Sequence, residues 1–220
     1  SKSSNPPIKL LYNVLFSNTS GCFNTAYGAK ALQSNTTANN STAVGACSLY
    51  ANTTGADNTA VGFKALVANT TGSKNAAFGN YALCTNTTGG CNVAMGCVSL
   101  LSNTTGNYNS AIGIGALQNN TTASQNLATG YRSLYTNTTG SYNTASGAQS
   151  LYSNTSGIYN TIIGRDAGYH NTTGSCNSVL GAAALLCNTS GGFNVALGRA
   201  ALISNTTACN NTAVGACSLY

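Results

Sequence analysis

The chain has 220 residues, 42% of them hydrophobic and only 5% charged, with a formal net charge of +6; a typical soluble domain carries roughly 25% charged residues. Two acids (Asp57 and Asp166), one His and no Trp leave almost nothing from which to build a carboxylate pair or a His-centred triad, so the chain reads as a non-enzyme with no cofactor of its own. The apolar share is too high for a disordered segment, and dispersed bases without a basic run argue against a nucleic-acid partner.

Residues 1–17 read as a lead-in or capping segment. Their apolar stretch, Ile8–Phe16, is broken by Lys9 and Asn13 and is too short to insert in a membrane. From there the tripeptide Asn-Thr-(Thr/Ser) recurs every 17 residues, at Asn18, Asn35, Asn52, Asn69, Asn86, Asn103, Asn120, Asn137, Asn154, Asn171, Asn188 and Asn205. Written from that Asn, the unit is N-T-T-G-x-x-N-T-A-V-G-x-x-A-L-x-x. Position 11 is Gly in all twelve units. Position 7 is Asn except at Ser41, position 15 is Leu except at Gly168, and position 9 is Ala except at Ile162 and Val179. Twelve units without an insertion mean that each residue stacks on its counterpart one coil away. The fold class is therefore all-β: a parallel β-solenoid of twelve 17-residue coils over residues 18–220, the last one truncated. Coils about 4.8 Å apart make a rod about 58 Å long.

Within the unit, N-T-A-V-G is the clearest strand, ended by a Gly that takes positive φ or allows close backbone approach. A-L-x with the following N-T-T reads as a second extended piece, with a corner at position 4, which is Gly in nine units and Ala at Ala38, Ala123 and Ala208. Side chains alternate along a strand. Position 10, mostly Val, Ile, Leu, Phe or Met, is expected inside the coil, and the near-constant Ala of position 9 is expected to pack tightly against another chain. Charges mark positions 6, 12 and 13 as facing water: Lys30, Lys64, Arg132 and Asp166 at 13, Arg165 and Arg199 at 12, Asp57 and Lys74 at 6.

The stretch Gly55–Ala65 (GADNTAVGFKA), and its Asn-(Ser/Thr)-Ala-(Val/Ile)-Gly core throughout residues 18–220, resembles the head repeat of the YadA-like trimeric autotransporter adhesins and similar repeats in phage and viral fibres. That resemblance implies a left-handed β-roll, self-association into a homotrimer or filament, and display outside the cell, at a cell surface or on a virion appendage. The unit here is about three residues longer, with an added L-x-x-N-T-T, and no neck, coiled-coil stalk or membrane anchor is recognisable. The functional expectation is the structural body of an extracellular fibre. The alternative is an adhesin head or receptor-binding segment that takes a cell-surface glycan or receptor as partner.

Each of the twelve position-1 asparagines heads an N-x-(Ser/Thr) sequon, as do Asn39, Asn40, Asn119 and Asn210. The twelve are the expected N-glycosylation sites; the competing reading is an Asn ladder that hydrogen-bonds from coil to coil. Position 3 always carries the hydroxyl a sequon demands, yet position 2 is always Thr, which glycosylation does not require. Adjacent threonines do not give the Thr-x-Thr face of an ice-binding solenoid. The nine cysteines share no unit position in neighbouring coils, so a disulfide ladder is not expected, and no C-x-x-C pair accompanies the lone His170, so no metal is expected either. Aromatic columns at position 6 (Phe23, Tyr108, Tyr142, Tyr159, Phe193) and position 16 (Tyr50, Tyr135, Tyr152, Tyr169, Tyr220) read as stacking ladders, with a sugar-binding stripe as the alternative. The irregular unit Asn154–His170, with Ile162, Arg165, Asp166, Gly168 and His170, is the first suspect for a specific contact. An array ending at Tyr220 without a polar cap is expected to continue or to dock end to end.

Overall fold

Strict register and a glycine in every unit leave little freedom in how the coils stack. The computed structural model describes residues 12–220, and they form a parallel β-solenoid without helix. Twelve three-residue strands, from β1 (Thr25–Tyr27) to β12 (Thr212–Val214), lie side by side in one sheet in sequence order. Each pairs in parallel with its counterpart 17 residues on: Thr25 opposite Thr42, Ala26 opposite Ala43, Tyr27 opposite Val44. Eleven complete turns separate Thr25 from Thr212.

Position 11 stops every strand. Its glycines have φ from 119° to 146°, a backbone region closed to residues with a Cβ. A Cβ on Gly113 would also lie 2.5 Å from the Gly130 carbonyl oxygen of the next coil. The invariant Gly therefore serves both purposes read from the sequence, positive φ and close approach.

The second half of each coil is not the extended piece expected from A-L-x-x-N-T-T. It is a run of turns in which positions 13 and 15 take left-handed φ, as at Lys64 (55°) and Leu66 (51°). Coil-to-coil hydrogen bonds continue regardless: the Leu66 amide donates to the Ala82 carbonyl at 3.0 Å, and Ala68 donates to Cys84 at 3.2 Å. A left-handed non-glycine residue costs roughly 1–2 kcal/mol. Full burial of a leucine returns about 1.5–3 kcal/mol, so at position 15 burial offsets the strained backbone.

The core lies inside the coil and is narrow. One Leu per turn (Leu32, Leu49, Leu66, Leu83 and their successors) packs against Ala at positions 9 and 14, all buried. This reverses the assignment of strand faces. The position-9 alanines point inward, and position 10 points outward, with Phe78, Met95, Ile112, Leu180 and Leu197 all exposed. The reason is volume: a 17-residue coil already filled by Leu has room on its strand side for Ala but not for Phe or Met.

The described part of the lead-in, residues 12–17, stacks as the second half of one more coil. Leu15 donates to Ala31 at 3.1 Å, Lys30 donates to Tyr12 at 2.7 Å, and Asn13 and Leu15 have φ of 52° and 49°, as at positions 13 and 15. The rest of the expected lead-in, residues 1–11, lies outside the described residues. Among the described residues no helix is long and apolar enough to cross a membrane.

Candidate functional surfaces

Asparagine is short, and its amide both donates and accepts, so one Asn per coil at a fixed height can bond to the next without end. Position 1 does this. Asn52 Nδ2 donates to Asn35 Oδ1 at 3.1 Å, Asn69 to Asn52 at 2.8 Å and Asn86 to Asn69 at 2.8 Å, and the series runs on to Asn205. The second hydrogen of each Nδ2 goes to the position-4 carbonyl of its own coil, as from Asn52 to Gly55 at 3.0 Å. Ten of these asparagines, Asn35 through Asn188, are completely buried; Asn18 and Asn205 at the ends are half-buried. Both amide hydrogens are spent inside the rod, which leaves none for an N-glycosidic bond at Asn35, Asn52, Asn69, Asn86, Asn103, Asn120, Asn137, Asn154, Asn171 or Asn188. In the folded chain this column has the geometry of the competing reading, a structural ladder.

Position 7 forms a second ladder. Asn75 donates through its backbone N (3.0 Å) and Nδ2 (3.2 Å) to Asn58 Oδ1, and also to the Gly89 carbonyl (2.9 Å). Ser41, the exception in this column, keeps the acceptor role, its Oγ receiving the Asn58 amide at 3.3 Å. The constancy of Thr at position 2 has the same origin: Thr53 Oγ1 donates to the Thr70 carbonyl at 3.1 Å, and Thr70 Oγ1 to Thr87 at 3.1 Å. The position-3 hydroxyls, by contrast, face solvent, as do the off-column sequon residues Asn39, Asn40 and Asn210, while Asn119 is half-buried.

The aromatic columns stack where tyrosines are adjacent. Tyr135, Tyr152 and Tyr169 have ring centroids 5.0 and 4.9 Å apart with planes within 5° of parallel, and Tyr142 and Tyr159 are 4.8 Å apart. Stacking covers the facing sides of these rings, whereas Phe23, Tyr108 and Phe193 of the position-6 column stand exposed without a ring neighbour among the described residues. The irregular unit also resolves internally. Ile162 is buried where other units have Ala, and a Cβ on Gly168 would lie 2.7 Å from Ile162 Cδ1, so the two exceptions form one repacked core site. Arg165 pairs with Asp166 at 3.1 Å, and His170 sits edge-on to Tyr169.

All nine cysteines are free thiols. Burial pushes the Cys84 thiol above its ordinary pKa, against a smaller pull downward from the Lys64 ammonium. No cluster of three or more His, Cys, Asp or Glu side chains occurs among the described residues.

Two surfaces remain. The outward face of the sheet carries an apolar column from Tyr27 to Ile112 and again from Ile163 to Val214, interrupted by Thr129 and Ser146, which bond to each other at 2.9 Å. Beside it runs the edge formed by positions 12 and 13. Five of the six bases among the described residues lie there: Lys30, Lys64, Arg132, Arg165 and Arg199. Dispersed along the sequence, these bases come together because positions 12 and 13 recur at the same edge of every coil. No family model, no curated protein and no solved structure matches the chain.

Proposed function

We propose that this β-solenoid is the rigid body of an extracellular fibre and that copies of the chain associate side by side through the outward sheet face. The observation that carries this reading is the exposed apolar column of position 10, with Met95, Ile112 and Leu180 between 44% and 54% exposed on a continuous twelve-stranded sheet. The strands are three residues long, so the outward face is about 58 Å by about 10 Å, roughly 600 Å², three quarters of the roughly 800 Å² that one partner contributes to a standard stable interface. Its apolar part is the position-10 column, in two stretches on either side of Thr129 and Ser146, beside a position-8 column that is mostly Thr and Ser. The resemblance to YadA-like head repeats favours three copies. Any N-glycan on such a fibre sits on the exposed Asn39, Asn40 or Asn210 rather than on the ladder.

The test is sedimentation of the wild-type chain beside an Ile112→Glu/Leu180→Glu variant. The wild type sediments as an oligomer, and the variant as a monomer with unchanged far-ultraviolet circular dichroism. A wild-type monomer at high concentration would refute the assembly. The second reading, a glycan-binding head, is favoured by the row of bases at positions 12 and 13.

A further inference from the structure

The bases on the position-12/13 edge are not only gathered but spaced. Counting coils from Asn18, Lys30 lies on the first, Lys64 on the third, Arg132 on the seventh, Arg165 on the ninth and Arg199 on the eleventh. Every interval is therefore two coils or four, and charges stand along the edge at multiples of about 9.6 Å, twice the coil spacing of about 4.8 Å. Repulsion between like charges explains why neighbouring coils do not both carry a base. It does not explain why the same parity holds across the four-coil gap between Lys64 and Arg132, where the two groups are far beyond a Debye length of about 8 Å.

Aromatic rings hold three of these bases in place. The Lys30 ammonium lies 5.9 Å from the Tyr50 ring centroid, Lys64 lies 5.3 Å from Phe63 and 5.7 Å from Tyr81, and the Arg132 guanidinium lies 5.1 Å from Tyr131 and 5.2 Å from Tyr135. Such contacts keep a long cation at a fixed height on the edge rather than trailing in solvent. Arg165 shares its charge with Asp166 and contributes least.

We propose that this edge binds a linear acidic polysaccharide lying parallel to the rod axis, with carboxylates one disaccharide apart meeting the bases on the first, third, seventh, ninth and eleventh coils and the carboxylate over the fifth coil left without a partner. The interval of two coils is close to the length of a disaccharide in an extended β-linked chain. The phosphates of a single-stranded nucleic acid recur at a spacing that does not match two coils. The inference goes beyond the fibre reading and holds whether or not the apolar sheet face is covered, because positions 12 and 13 are a separate edge.

The experiment is retention of the full chain on immobilised hyaluronan, which has one carboxylate per disaccharide, at low ionic strength. The wild type is retained and is released as salt rises. Lys64→Gln weakens binding about two- to fivefold, the fold-change of one exposed ion pair, while Lys74→Gln, at position 6 and off the edge, leaves it unchanged. The decisive variant exchanges Arg132→Gln with Gln149→Arg, which preserves composition and net charge but moves one base by a single coil. It binds as weakly as Arg132→Gln alone. The proposal is overturned by any of four results: no retention of the wild type, full affinity in the exchanged variant, a Lys74→Gln loss equal to that of Lys64→Gln, or duplex DNA or phosphatidylserine vesicles bound as tightly as hyaluronan.

Discussion

Replacement of Asn103 tests the ladder at its middle. Its Nδ2 donates to Asn86 Oδ1 at 2.8 Å and to the Gly106 carbonyl at 3.0 Å, and its Oδ1 accepts from Asn120 at 2.8 Å. Asn103→Ala removes all three bonds but does not orphan every partner. The Gly106 carbonyl keeps a bond from Asn92 Nδ2 at 2.8 Å, whereas Asn86 Oδ1 and one hydrogen of Asn120 lose their partners inside the rod. Two buried orphans at roughly 1–3 kcal/mol each predict a loss of about 4 kcal/mol. The loss is read from the urea midpoint of the circular dichroism signal, with hydrogen exchange locating the opening to the coils around residue 103. Asn103→Asp adds a pH signature. Its carboxyl would face the Asn86 oxygen and the Gly106 carbonyl, both acceptors, so the protonated form fits and the ionised form is repelled. The folded pKa is raised above the unfolded value of about 3.9. The Asn103→Asp chain is therefore most stable in acid and loses stability as pH rises from the unfolded towards the folded pKa. A loss below about 1 kcal/mol for Asn103→Ala, or a flat pH profile for Asn103→Asp, would refute the buried ladder.

Val98 holds φ at 54° with a β-branched side chain. Asn tolerates that region, so Val98→Asn stabilises by about 1 kcal/mol, and a lowered urea midpoint would count against the strain argument. Cys84 ionises at higher pH than an ordinary thiol because it is buried; alkylation therefore reaches it after the exposed Cys97 at neutral pH, and the gap narrows as pH rises. Labelling of Cys84 first would contradict the burial. Ile162→Ala opens a cavity costing about 2–4 kcal/mol, and Gly168→Leu meets Ile162 Cδ1 in a left-handed backbone at φ 57°. The double variant restores the common Ala/Leu pairing, so the two changes couple favourably by about 2–3 kcal/mol in a thermodynamic cycle; additive losses would mean that the two sites do not share a space.

The period, the strand at N-T-A-V-G and the terminating glycine were all legible in the sequence, because stacking in register writes the same constraint into every unit. Which strand face lies inside was not. Alternation shows that positions 9 and 10 face opposite ways, and hydrophobicity ranks Val, Phe and Met above Ala, but the interior of a 17-residue coil is limited by volume. The informative signal was constancy rather than hydropathy. Position 9 scarcely departs from Ala and position 15 scarcely from Leu, while position 10 ranges from Ser146 to Tyr27. A stacked interior tolerates little change of volume from coil to coil, Val179 above a retained Leu185 being the largest uncompensated one, whereas an outward column varies freely.

The same reasoning accounts for the constancy of the Asn-Thr corner. A sequon constrains positions 1 and 3 and leaves position 2 free, yet it is position 2 that never varies, because its hydroxyl bonds to the carbonyl of the next coil. It also accounts for the one unit that breaks two columns at once. In a closed interior, loss of the Leu at position 15 must be matched by gain elsewhere in the same coil, and Gly168 with Ile162 is that exchange. Two of the unit's exceptions are thus the core conserving its volume, while Arg165 lies exposed on the outside. What varies from coil to coil lies on the outside, in the apolar column at position 10 and the bases at positions 12 and 13.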